Sequence, residues 1–186
     1  MNMETHAKYS VPKEVKGEII KEARKILSLS QKDFAEMIGV SKPTVERWEA
    51  GDKAVSGPVA ALCALIIRDA SLAGELVLPV NELRTRLIYM YEDIICTVID
   101  VDETIRKVKI INYTDNLMLR AFGKNTEPTF DEYEEFIESR CFPRGRDKMK
   151  LELERLNIPF YDPMLIISKT EGRMAEDRFW LKVERW

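Results

Sequence analysis

Histidine is almost missing: His6 is the single one in 186 residues, and the three cysteines, Cys63, Cys96 and Cys141, are scattered and never spaced as CxxC. No Cys/His zinc cluster can be assembled from that set. An odd, dispersed group of thiols suits a reducing compartment, so the expectation is a cytoplasmic chain with neither a metal nor a cofactor. Long apolar runs are missing too. The longest, residues 59–67, has nine residues, against roughly 20 for a membrane helix, and residues 1–10 hold no apolar stretch of signal-peptide type. Glycine is sparse and never clustered: GxSxG, GxxxxGK and the dinucleotide fingerprint GxGxxG are absent, as is HExxH. Those absences remove the common hydrolase, nucleotide and metalloprotease readings. A Cys–His dyad would have to use His6 in the terminal tail. The expectation is that the chain is not an enzyme.

A marked excess of positive charge is lacking as well, since 29 Lys and Arg face 32 Asp and Glu, a net of −3. The average conceals a split. Residues 1–70 hold 11 cations against 10 anions, a net of +1, and residues 71–186 hold 18 against 22, a net of −4. Attraction to phosphate depends on a local patch rather than on the total. Diffuse coating of nucleic acid is therefore disfavoured, and a small focused reader in the first half is left open.

What is present divides near Leu78-Pro79. Before it, apolar residues recur at helical spacing: Val15, Ile19, Ile20, Ala23, Ile26 and Leu27 form the first stripe. Ser30 caps a short second helix over 31–38, which Gly39 stops, and Ser41 caps a third running to about Ala50 with Pro43 in its first turn. Pro58 opens a fourth over 58–69, and 71–77 supplies a fifth turn. After Pro79, residues 86–92, 94–101 and 107–113 are rich in Ile, Val, Tyr and Thr, which predicts a three-stranded antiparallel sheet. Helices are expected at 129–140, 144–156 and 162–169, with 179–186 strand-like or irregular. The fold class is multidomain: an all-α bundle over 12–78, then an α+β domain with a small antiparallel sheet over 82–186.

The stretch from Leu29 to Gly51 carries the most information. Ala35 is small enough for two helices to cross closely, Gly39 permits a left-handed turn, and Val40, Val45 and Trp48 face inward. Lys42, Thr44, Glu46 and Arg47 are left on the outer side of the third helix, the part that such a helix pair lays in the DNA major groove. From Ser30-Gln31 to Trp48-Glu49-Ala50-Gly51 the sequence resembles the Xre/Cro-type helix-turn-helix family, and most of all the DNA-binding domain of MqsA-type antitoxins. The resemblance spans about residues 15–77 and implies a lambda-repressor-like bundle that binds double-stranded DNA as a transcription repressor. Because one small helix-turn-helix buries limited surface and two-fold pairing doubles it on a palindromic site, a homodimer is expected. The resemblance places Gln31 on a phosphate and the base readers at Lys42, Pro43, Thr44, Glu46 and Arg47. It also implies a structural pair between Arg24 and Glu49. Pro43 departs from the polar readers of the family, because it has no donor. The zinc-binding domain of MqsA antitoxins has no counterpart here. Arginine makes the commonest bidentate contact to guanine, so Arg47 is the foremost reader; Lys32 and Lys42 suit phosphates, and Glu46 could accept from cytosine but reads better as a solvated helix residue.

In the second half, Arg140-Cys141-Phe142-Pro143-Arg144-Gly145-Arg146 and Glu171 to Leu181 resemble the leader region before the catalytic domain of HipA-like kinase proteins. No kinase motif follows, so no kinase activity is implied. Arg140, Arg144 and Arg146 either hold an anion or pair with the carboxylates between Asp131 and Glu138. Phe179, Trp180 and Trp186 either anchor a partner or pack inward; Trp180 is the candidate partner contact. Two functions are carried forward. One is a DNA-binding regulator, an antitoxin-like autorepressor whose further partner is a toxin or kinase-like protein. The other is a protein- or ligand-binding sensor module that the helix-turn-helix only localises.

Overall fold

The computed structural model describes residues 9–145, 147 and 149–185. His6, Arg146 and Trp186 lie outside the described residues. The chain divides into two compact units, Met1–Pro79 and Val80–Trp186.

The first unit runs β1 (Glu14–Val15), α1 (Gly17–Ile26), α2 (Gln31–Met37), α3 (Lys42–Ala50), β2 (Val55–Ser56), α4 (Pro58–Arg68) and α5 (Leu72–Leu76). Ile20, Ala23 and Leu27 from the first stripe meet Phe34, Ala35, Val45, Ala60, Cys63 and Ile66 in one buried core. Removing each of the large apolar side chains from water is worth roughly 1.5–3 kcal/mol. The unit is not wholly helical. β1 pairs antiparallel with β2, setting Val15 opposite Val55, and both valines are buried. Strands of two residues have no periodicity to read, which is why composition alone gives helices only.

The second unit runs β3 (Thr85–Tyr91), β4 (Ile94–Asp102), β5 (Lys107–Asn112), α6 (Phe130–Ser139), α7 (Met149–Leu156), α8 (Pro163–Thr170) and β6 (Phe179–Arg185). The antiparallel sheet has four strands rather than three, in the order β5-β4-β3-β6. The fourth is the tail: Phe179 pairs with Tyr91 and Arg185 with Thr85 along the free side of β3. Leu87, Tyr89, Ile99, Val101 and Leu181 on one face of the sheet pack with Tyr133, Ile137, Ile166 and Ile167 of α6 and α8. Thr129 and Glu132 close a reciprocal capping box at the start of α6. α7 begins at Met149, five residues later than the sequence predicts, because residues 144–145 are spent in a turn.

All three cysteines are free and buried. Burial pushes the Cys63 thiol up to about 11 and the Cys141 thiol to about 12. Among the described residues, no helix is long and apolar enough to cross a membrane.

Candidate nucleic-acid interface

The geometry starts with the turn between α2 and α3. Ser30 caps α2 by accepting from the Asp33 N–H at 3.2 Å. At the other end Gly39 has φ +70, a left-handed value that glycine adopts without strain. The Val40 N–H then closes back on the Ala35 carbonyl at 2.9 Å. Ala35 is 1% exposed and Val45 0%, so α3 is held against α2 by small and β-branched side chains. Ser41 does not cap α3 through its side chain; its hydroxyl instead lies 2.8 Å from the Thr44 hydroxyl. Trp48 is half-buried against the core rather than enclosed by it.

A second fixing point lies at the far end of α3. The Arg24 guanidinium donates from Nε to Glu49 Oε1 at 2.7 Å and from a terminal nitrogen to Oε2 at 3.0 Å, and also to the Leu29 carbonyl at 2.9 Å. Gln31 Nε2 donates to the same Oε2 at 2.9 Å. The Arg24 side chain is 14% exposed and that of Glu49 5%. The Arg24 hydrogen bonds hold the Glu49 carboxyl below the usual carboxylate range, with Gln31 adding to them. A side-chain amide nitrogen has two hydrogens, so the bond to Glu49 orients Gln31 and uses only one of them.

The sequence does not signal Gly17. A Cβ built there would run into the Trp48 carbonyl oxygen, with the Trp48 carbonyl carbon at 3.0 Å and Glu49 Cα at 3.1 Å. The first turn of α1 thus lies directly on the backbone of α3. Glycine in a helix normally weakens it by about 1 kcal/mol, and only the three-dimensional contact explains its presence.

With α3 held at both ends, Lys42, Pro43 and Arg47 are exposed and Thr44 and Glu46 half-buried along its outer side. Lys42 is paired with Glu46 at 2.8 Å, so Glu46 is engaged by its neighbour one turn away. Among the described residues Arg47 enters no ion pair, and Lys32 is exposed on α2. The family model described as helix-turn-helix matches residues 20–68. Residues 20–68 are a helix-turn-helix domain. No curated protein and no solved structure matches the chain. The domain match supports DNA binding and transcription regulation, and the matched span contains α2, the turn and α3 entire.

Of the candidate residues in the second unit, Arg140 is buried at 7% exposure. It donates to the Gly172 carbonyl at 2.7 and 3.0 Å, to Asp177 Oδ2 at 2.6 Å and to the Phe179 carbonyl at 3.1 Å. Both sequence alternatives for Arg140 give way to this arrangement: it faces neither a free anion nor the acidic side of α6, but fastens the end of α6 to β6. Asp177 is held below the usual range by the Arg140 hydrogen bond. Arg144 does pair with the acidic helix, reaching Glu138 at 2.6 Å, and lies over the Tyr161 ring. Trp180 is half-buried: its indole N–H donates to the Glu92 carbonyl at 2.7 Å, and Arg173 lies over its ring. Arg140 is accordingly structural, and Arg144 and Trp180 are engaged within the unit.

Proposed function

We propose that the chain is a sequence-specific DNA-binding transcription regulator that works as two copies and represses its own operon in the manner of an antitoxin. One observation carries the reading: α3 is held from inside by the close approach of Gly17 and by the Arg24–Glu49 pair, while its outer side bears Lys42, Pro43, Thr44 and Arg47, which enters no ion pair among the described residues. A recognition helix must be held rigidly and yet present donors outward, and this one combines both. Arg47 reads a base, Lys32 and Lys42 neutralise phosphates, and Gln31 donates its second amide hydrogen to a phosphate. Lys42 exchanges Glu46 for the phosphate. Exposed i,i+4 pairs are worth only about 0.3–0.5 kcal/mol, which phosphate readily outcompetes. The fold of residues 12–78 is read as lambda-repressor-like, with 82–186 as a separate regulatory domain facing a toxin or kinase-like partner in the cytoplasm.

Footprinting on DNA upstream of the gene is the test. Two half-sites about one helical turn apart, roughly 34 Å or a multiple, are expected for two copies; a single protected half-site at saturation overturns the two-copy reading. Arg47→Ala should lower operator affinity by about 1–3 kcal/mol and relax preference at one base position. An equal loss on operator and scrambled DNA would make Arg47 a phosphate contact instead.

A further inference from the structure

The outer edge of β6 is closed at one end and open at the other. Along β3 the even-numbered residues of β6 face inward, as the Glu92 N–H bond to the Arg178 carbonyl fixes the alternation. The backbone groups of Phe179, Leu181, Val183 and residue 185 therefore point away from the sheet. The first two are covered by the unit itself: the Phe179 N–H donates to Asp177 at 3.0 Å, and the Leu181 N–H to the Glu171 carbonyl at 2.7 Å. Val183 forms no such outward bond among the described residues. Beside it runs a groove of about 410 Å³ lined by Ile167, Ser168, Glu171, Leu181, Lys182 and Val183. An open strand edge is a template for another strand.

The flanking charges say which strand. Lys182 and Glu184 project from the sheet face opposite the helices and are bonded to each other at 2.6 Å, with side chains 58% and 30% exposed. In a two-fold antiparallel pairing centred on Val183, the N–H and carbonyl of Val183 bond reciprocally with those of a second copy. Lys182 then stands directly opposite Glu184 of the second copy, and Glu184 opposite its Lys182. The four charges form a square in which every neighbour is of opposite sign. Directly opposed, non-hydrogen-bonded positions are the closest cross-strand pairs. The other edge lacks this property: on β5 the outward positions are even-numbered, since Tyr113 N–H bonds the Cys96 carbonyl. A two-fold pairing about Val108 sets Lys107 against Lys109 of the other copy, and one about Ile110 sets Lys109 against Ile111, so neither register brings opposite charges face to face.

We infer that β6 is a self-complementary edge through which two copies of this chain join their sheets into one, antiparallel about Val183. A two-fold contact of this kind requires only one patch, which is why a single strand suffices. The inference rests on the two-copy reading above and supplies its contact.

Sedimentation velocity of the full chain without DNA tests it. The chain should be a concentration-dependent dimer, and Val183→Pro should abolish the dimer, because proline removes only the outward N–H and leaves the pairing with β3 intact. Lys182→Glu should weaken the dimer by about tenfold, since by symmetry it turns both opposite-sign pairs into like-sign ones. Lys182→Glu combined with Glu184→Lys should restore it, which decides the matter even if Val183→Pro fails to fold. A chain that is monomeric up to its solubility limit, or a dimer indifferent to these three variants, overturns the inference. Because no DNA is present, that failure leaves the DNA-binding reading standing, and an absent footprint leaves the edge standing.

Discussion

Gly17→Ala is expected to unfold the helix-turn-helix domain or come close to doing so. The added methyl meets backbone, the Trp48 carbonyl and Glu49 Cα, and backbone cannot rotate away as a side-chain tip can. Overpacking in a well-filled core costs typically 1–3 kcal/mol. Here the cost should reach about 3 kcal/mol or more, since α1 or α3 must shift as a whole. In a residue that is helical and not left-handed, alanine would otherwise be favoured over glycine by about 1 kcal/mol, so the substitution separates propensity from packing by sign. Hydrogen exchange resolved by peptide is the measurement, because a chain with two units does not unfold as one two-state system. Peptides of α1 and α4 should lose protection while those of β3 and β4 keep it. Unchanged or raised protection in α1 would show that the close approach to α3 is not maintained.

The second large effect is expected from Glu49→Ala. It leaves the Arg24 guanidinium, 14% exposed, with its principal partner gone, and removes the acceptor for Gln31 as well. Breaking one side of a largely buried, hydrogen-bonded ion pair costs about 3–5 kcal/mol, mostly the penalty of the charge left behind. Acid offers the same loss without mutation. The folded-state pKa of Glu49 is depressed, so its contribution is present above the unfolded value of about 4.3 and drains away as pH falls through and below it. Protection of α1 and α4 amides should fall between about pH 4.5 and the depressed value. In Glu49→Ala that component of the acid response should be missing. A variant whose acid profile parallels that of the unmodified chain would assign the sensitivity to other carboxylates.

Local chemistry made part of this fold legible in the sequence. Ser30 at the start of α2, Gly39 in the turn and Pro58 at the head of α4 act within one helical turn, and each stands where its backbone preferences place it. The stripe of Ile20, Ala23 and Leu27 follows from helical period alone. The features that escaped join residues far apart in the chain. β6 reads as an ambiguous tail until β3 is beside it, some 90 residues earlier in sequence. Arg140 looks like a surface cation in a basic run, and only the return of the chain at Gly172, Asp177 and Phe179 shows that it is enclosed. Gly17 is the clearest instance: nothing around it in sequence calls for glycine, and the demand comes from Trp48 and Glu49. On α3, the outward placement of Lys42, Pro43 and Arg47 follows from helical period, but not that Lys42 is tied to Glu46 while Arg47 enters no ion pair among the described residues.

The buried thiols have a practical meaning beyond packing. Cys63 lies in the core of the first unit and Cys96 and Cys141 in that of the second. Only the thiolate of an accessible cysteine attacks a disulfide reagent, expelling its other sulfur as a thiolate, and these three are enclosed, with burial raising the pKa of each. Each sulfur reacts, then, only while the unit around it is open. The chain carries a stopwatch in each half: modification of Cys63 times the opening of the helix-turn-helix domain, and modification of Cys96 and Cys141 times the opening of the sheet, both read by mass from one sample with no label engineered in.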